Sequence, residues 1–187
     1  MNPRQRDART GTQRIIFHHT VNPSSTNFDV TARRIAAIQN GHMYNLCPNT
    51  WERLSPRWSD IGYHFLIDIE GRIWRGTEIH RQGIHTNAIH NGHYTNNDIG
   101  IALIGDFWPR DNAPWDIDEL NPLMKQAMRN LSRYLVYTLN LRTTGTVEVI
   151  DVHSSFQPQD CPGDNAEEWI LNELRPEINR WLESIGR

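Results

Sequence analysis

The stretch GYHFLIDIEGRIWR, residues 62–75, decides the fold class. Two strand-like runs, Tyr63 to Ile69 and Arg72 to Arg75, flank Glu70-Gly71. Aromatic and β-branched residues on either side of a tight glycine-containing break read as a β-hairpin. An antiparallel pair is therefore expected early in the chain. Within its first strand, Tyr63 and Phe65 are expected on one face and His64 on the other, because successive side chains alternate.

Outward from this hairpin, strands alternate with helices. Upstream, Arg14 to His18 is a short apolar run ending in histidine, which reads as a buried strand. Asp29 is placed to cap a helix over Val30 to Gln39, with Ile35 and Ile38 on one face. Residues 40–60 hold two prolines, two tryptophans and Cys47 without periodicity and read as a long loop. Downstream, Ile99 to Ile104 is a continuous apolar run, the pattern of a central strand covered on both faces. Leu120, Leu123, Ala127, Leu131, Tyr134 and Leu135 recur at helical steps. Val147 to Val152 reads as the next strand. A last helix is expected from Asn165, with Glu168 completing a capping box and a kink at Pro176. The alternation makes an α/β domain, and the hairpin excludes a purely parallel sheet. The expected architecture is a mixed β-sheet flanked by α-helices, one domain over residues 14–187 after a flexible tail of residues 1–13.

Bulk properties narrow the function. The chain has 187 residues, enough for one domain with a sizeable core. Its 19 basic and 22 acidic residues give a net charge of −3, against the basic surface of a nucleic-acid binder. No apolar run of about 18 residues is present, so no membrane span is expected. Met1 to Gln13 lacks the apolar stretch of a signal peptide. The expectation is synthesis in the cytoplasm, with any action outside depending on release or dedicated secretion. Two cysteines cannot build a disulfide framework. Nine histidines direct attention to metal chemistry.

Three segments carry that chemistry. HSSFQPQDCPG, residues 153–163, closes a strand with histidine and places Cys161 before a Pro-Gly turn. Imidazole and thiolate are zinc ligands, although a lone cysteine is as often a buried core residue. FHHT, residues 17–20, ends another buried strand, and only one of His18 and His19 can face a cleft. Two histidines and a cysteine would leave a fourth position open, the arrangement of catalytic rather than structural zinc. Tyr63, beside such a site, is either a hydrogen-bond donor to a developing oxyanion or a packing residue.

Taken together, FHHT, DIGYHFLID, GRIWRG, GIHT, NNDIGIALIGDF and H-x7-CPG stand in the order found in one family. The chain resembles the zinc-dependent N-acetylmuramoyl-L-alanine amidases, which include amidase-type phage lysozymes and peptidoglycan recognition proteins. The resemblance covers residues 14–165. It implies Zn2+ held by His18, His153 and Cys161, with His18 preferred over His19 as the first residue after the apolar strand. It implies Tyr63 as the catalytic tyrosine, His85 as a residue lining the substrate groove, and Asn97 with Asp98 as the turn before the central strand. Asn97 is thereby also expected to contact substrate. Two positions depart from the family. Ala102 stands where some branches carry a catalytic glutamate. Gln159 stands where phage lysozymes have lysine and active recognition proteins often have threonine; it can still donate a hydrogen bond.

The implied activity is zinc-dependent hydrolysis of the amide between N-acetylmuramic acid and L-alanine in bacterial peptidoglycan, with Tyr63 and Gln159 as oxyanion donors. The settings open to such an activity are cell-wall lysis by an endolysin, an antibacterial effector paired with an immunity protein, and recycling of cytoplasmic muropeptides. The alternative is a non-catalytic peptidoglycan-binding module. Such relatives typically lack the ligand cysteine, and this chain has Cys161.

Overall fold

The computed structural model describes residues 8–44, 59–86, 88–108, 118–144 and 147–187. Its centre is a five-stranded mixed sheet in the order β3-β2-β6-β1-β7. The strands are β1 (Ile15–His19), β2 (Phe65–Ile67), β3 (Ile73–Arg75), β6 (Ile99–Leu103) and β7 (Ile150–Val152). β2 and β3 form the expected antiparallel hairpin, while β2, β6, β1 and β7 run parallel. The continuous apolar run is indeed the central strand. The hairpin turn winds around the Asp68 carboxylate, which accepts from the backbone N–H of Glu70 and Arg72 and from the Trp74 indole. Gly71 closes it at φ 72°, and a Cβ there would stand 2.7 Å from the Leu123 carbonyl oxygen.

Side chains leave the sheet alternately, and each face meets its own helices. Ile15, Phe17, Ile67, Ile99, Ile101 and Leu103 enter the larger core. There they meet α2 (Pro122–Thr138) and the C-terminal helical stretch, which comprises α3 (Asp164–Trp169), a π-helical turn (Ile170–Leu174) and α4 (Arg175–Ser184). Leu66, Ala102 and Ile104 face the other way, with Ile35 and Ile38 of α1 (Phe28–Tyr44) packed against them.

Several local expectations are corrected. α1 starts earlier and ends later than expected. Its cap is Asn27, whose side-chain oxygen accepts from Val30 N at 3.1 Å, not Asp29. The buried stripe of α2 runs through Met124, Ala127, Met128, Leu131 and Leu135, while Leu123 and Tyr134 are exposed. Its cap is Asn121, whose oxygen accepts from Met124 N. The capping box at Asn165 does not form, since α3 begins one residue earlier after Gly163. Pro176 is accommodated by the π-helical turn just before it. Tyr63 and Phe65 do not share a face. β2 starts at Phe65, so Tyr63 lies in the preceding loop and packs with the smaller core, while Phe65 packs with the larger.

Residues 8–13 are docked rather than loose. Ala8 bridges Arg81, Arg9 N donates to the His80 carbonyl, and Gln13 N donates to Asp98. A second small sheet, β4 (Ile89–His90) and β5 (His93–Tyr94), was not expected. Its turn is Asn91-Gly92, both at positive φ, the conformation of a two-residue type I′ hairpin. Cys47, Trp51 and Trp58 of the expected loop lie outside the described residues.

Candidate metal centre

β1 and β7 are hydrogen-bonded neighbours, with Phe17 opposite Val152. The next residue on each strand is a histidine, so register alone brings His18 beside His153. His153 opens a short 3-10 turn directly after β7. The loop that follows returns Cys161 to the same place, where its carbonyl accepts from Ser154 N at 2.9 Å. The candidate ligand atoms of His18, His153 and Cys161 all lie within 4.8 Å of one another. His18 Nδ1 is 3.1 Å from His153 Nδ1 and 3.7 Å from Cys161 Sγ. A tetrahedral zinc with ordinary bond lengths separates two nitrogen ligands by about 3.3 Å, and nitrogen from sulfur by about 3.6 Å. The cluster has the size of a zinc site.

Protonation points the same way. Burial holds His18 well below the ordinary imidazole range, helped by the neighbouring His85 and His153. Burial also lowers His153, to about 4. Both rings are therefore neutral near pH 7, and each has one nitrogen without a proton. His153 Nε2 donates to the Gln157 side-chain oxygen at 3.2 Å, which leaves Nδ1 bare. His18 Nε2 lies 2.9 Å from His85 Nδ1, a second nitrogen already partnered. The two Nδ1 atoms face each other across 3.1 Å, an arrangement that suits a cation between them. Burial pushes the Cys161 thiol up to about 12, so metal binding requires it to release its proton. The backbone N–H of His19 donates to Cys161 Sγ at 3.4 Å and favours the thiolate.

His19 itself points to the opposite face. Its Nδ1 accepts from Phe107 N at 3.5 Å and lies 3.9 Å from Asp106. The alternation expected for the histidine pair holds, and His18 is the member of the cluster.

Tyr63 borders this cluster. Its ring centroid is 5.2 Å from that of His18 and 5.8 Å from that of His42. Its backbone is fixed by Thr77 N, which donates to the Tyr63 carbonyl at 2.8 Å. Burial and the nearby Cys161 push the phenol pKa up, so Tyr63 remains a hydrogen-bond donor at neutral pH. Gln159 lies in the loop two residues before Cys161, and its amide nitrogen is buried without a hydrogen-bond partner among the described residues. Ala102 is the β6 residue paired with His18, so no carboxylate enters from that position.

His85 and Asn97 are placed differently from a groove lining. His85 is only 7% exposed and sits behind His18. The Asn97 side-chain oxygen accepts from Thr10 N and Gln82 Nε2, tying the docked N-terminal segment to the frame. Its neighbour Asn96, missed in the sequence, is buried and accepts from the backbone N–H of both His85 and Thr86. Gln157 was also missed. Neither leaves a signature beyond its polar type, because each acts through short-range hydrogen bonds that only the folded backbone brings together.

Known proteins share this arrangement of sequence and fold. Residues 8–164 match the family described as N-acetylmuramoyl-L-alanine amidase. Peptidoglycan-recognition protein 2 of Holotrichia diomphalia is 36% identical over 93 residues, covering 50% of this chain and 42% of that protein. The match therefore spans less than half of that relative. The endolysin of Escherichia phage T7 is 30% identical over 118 residues, covering 63% of this chain and 69% of the endolysin. Among solved structures, the ectodomain complex of peptidoglycan recognition proteins LCa and LCx bound to tracheal cytotoxin aligns with a TM-score of 0.64. The identity there is 25%, with 95% of this chain and 87% of the other covered. With most of its length inside the matched region, a mixed sheet of the same fold and a histidine-cysteine cluster at the end of β1, the chain belongs to the N-acetylmuramoyl-L-alanine amidase family.

Proposed function

We propose that this chain hydrolyses the amide bond between N-acetylmuramic acid and L-alanine in bacterial peptidoglycan, using zinc held by His18, His153 and Cys161. The observation that carries the reading is the convergence of two imidazole nitrogens and a thiol sulfur within 4.8 Å. A zinc ion bound there supplies Lewis-acid polarisation of the substrate carbonyl and lowers the pKa of water to about 7. The protein's own groups do the rest. His18 and His153 offer lone pairs because burial keeps them neutral. Tyr63 stays protonated and donates to the oxygen on which charge develops. Gln159 holds an unused amide donor in the loop beside the cluster.

The place of action is the bacterial cell wall, as for the phage relative named an endolysin. Release by lysis or export as an antibacterial effector are both compatible with this chemistry, and an effector would be paired with an immunity protein. No described helix is long and apolar enough to cross a membrane. A second reading is recognition of peptidoglycan without cleavage, favoured by the relatives named recognition proteins. Cys161 in the cluster favours the enzyme, since a binding groove has no need of a third ligand.

Digestion of purified sacculi separates the two. The expected products are glycan strands with intact disaccharides and free stem peptides beginning in L-alanine, identified by mass spectrometry. Retention on sacculi with no released peptide would leave only the binding reading. New reducing ends or cuts inside the stem would point to a glycosidase or a peptidase.

A further inference from the structure

His85 is buried, and both of its ring nitrogens are already used. Nε2 lies 3.1 Å from the backbone carbonyl oxygen of Asp98. A carbonyl oxygen only accepts, so Nε2 carries the proton and donates it. An imidazole that donates from Nε2 to this carbonyl in its neutral form has no proton on Nδ1, which is left to accept. That Nδ1 is 2.9 Å from His18 Nε2. An unprotonated nitrogen accepts, so His18 carries its proton on Nε2 and its Nδ1 keeps a lone pair. The direction of the chain, His18 to His85 to the Asp98 carbonyl, is set by the one group that cannot donate.

The surroundings are shaped to this ring. A Cβ on Gly100 would stand 2.6 Å from both Cγ and Cδ2 of His85, and a Cβ on Gly83 would strike Cδ2. Gly100 belongs to β6 and Gly83 to the loop before His85, so glycine on both sides opens the slot that the imidazole fills. The His85 backbone N–H is held by the Asn96 side chain at 3.1 Å. Asp98 is held too: its carboxylate accepts from Gln13 N, Arg14 N and His93 Nε2. The ring planes of His18 and His85 meet at 83°, so the His18 edge is aimed rather than stacked.

We propose that His85 is a positioning residue that locks His18 into the Nε2–H tautomer and aims its Nδ1 lone pair at the His153–Cys161 side, with Gly83 and Gly100 conserving the space for its ring. The consequence for metal affinity rests on the zinc reading above; the tautomer does not. A partner on the outer nitrogen of a ligating histidine fixes ring orientation and raises basicity, and its loss typically weakens metal binding about 10–100-fold.

Two measurements test this. Long-range proton–nitrogen correlation spectra of the zinc-free 187-residue chain at neutral pH read the tautomers without any substitution. Both His18 and His85 should carry their proton on Nε2. A proton on His18 Nδ1 overturns the proposal. Zinc affinity by chelator competition then compares wild type, His85→Leu, which fills the slot but cannot accept, and His85→Asn, whose side-chain oxygen falls near the place of Nδ1. His85→Leu should bind zinc about 10–100-fold more weakly, and His85→Asn should recover most of the loss. Equal affinity in wild type and a folded His85→Leu overturns the positioning role. A wild type that binds no zinc, yet shows the expected tautomers, defeats the zinc reading and leaves the hydrogen-bonded relay in place.

Discussion

His18 and His153 turn the same ring nitrogen toward each other across 3.1 Å, while the second nitrogen of each ring is tied up by a neighbour. A cation held between these nitrogens binds the native state only, so the native fold should be less stable when metal-free. Chelation is expected to lower the thermal unfolding midpoint, and added zinc to restore it, because ligand binding to the native state adds to its stability. A midpoint insensitive to both treatments would remove zinc from the centre.

Ligand identity follows from the faces of β1. Cys161→Ser should lose zinc and amidase activity together. His19→Ala should keep stoichiometric zinc, since the His19 side chain meets Phe107 and Asp106 on the other side of the sheet. Metal content of the purified variants decides this. Loss of zinc in His19→Ala would mean that the wrong histidine of the pair has been assigned.

Tyr63→Phe should retain fold and zinc but lose about a hundredfold or more in kcat, with a smaller change in KM. The hydroxyl helps only as negative charge develops, so the loss falls on turnover rather than on binding. Turnover of a defined muropeptide checks it. Wild-type turnover in Tyr63→Phe would reduce the ring to a packing partner of His18.

Gln159 invites the opposite pairing of effects. Its buried amide nitrogen has no partner among the described residues, and an unsatisfied buried donor costs about 1–3 kcal/mol. Gln159→Ala should therefore leave stability unchanged or raise it while turnover falls, though by less than in Tyr63→Phe. Gln159→Lys should keep activity. Parallel thermal melts and muropeptide assays would show whether the two properties separate; a variant that is destabilised with full activity would make Gln159 purely structural.

Gly71→Ala tests the hairpin. Its φ of 72° costs a side-chain-bearing residue about 1–2 kcal/mol, and the added methyl would press on the Leu123 carbonyl at the start of α2. A loss of at least that size in urea unfolding is expected, with zinc content unchanged in the folded fraction.

Much of this molecule is readable from its sequence where a signal is contiguous. The run Ile99 to Ile104 announces a strand covered on both faces, and β6 is that strand. Histidines that end apolar strands, and a cysteine before Pro-Gly, mark the cluster because ligands must leave rigid elements at their ends. What stays hidden is held by single hydrogen bonds or by geometry. β4 and β5 have two residues each, too few to show alternation, and only Asn91-Gly92 between them signals the turn. The buried face of α2 is set by Met124 and Met128, whose flexible apolar side chains fill the core while Leu123 and Tyr134 stay exposed. His85 reads from its position as a groove residue. Its burial becomes visible only when Gly83 and Gly100 are seen on either side of its ring.

The pairing of β1 with β7 joins the two ends of the fold: His18 and His153 are 135 residues apart in the chain. A polypeptide emerging from the ribosome thus makes its first ligand early and lacks the other two until nearly the whole domain has been synthesised. Closing so distant a contact is among the slower acts of folding. Under the proposed zinc hydrolysis, activity is expected only once Cys161 has followed β7, and truncations before residue 153 should yield no partial activity. A nascent chain of this design lacks the full His18, His153 and Cys161 set until Cys161 has emerged.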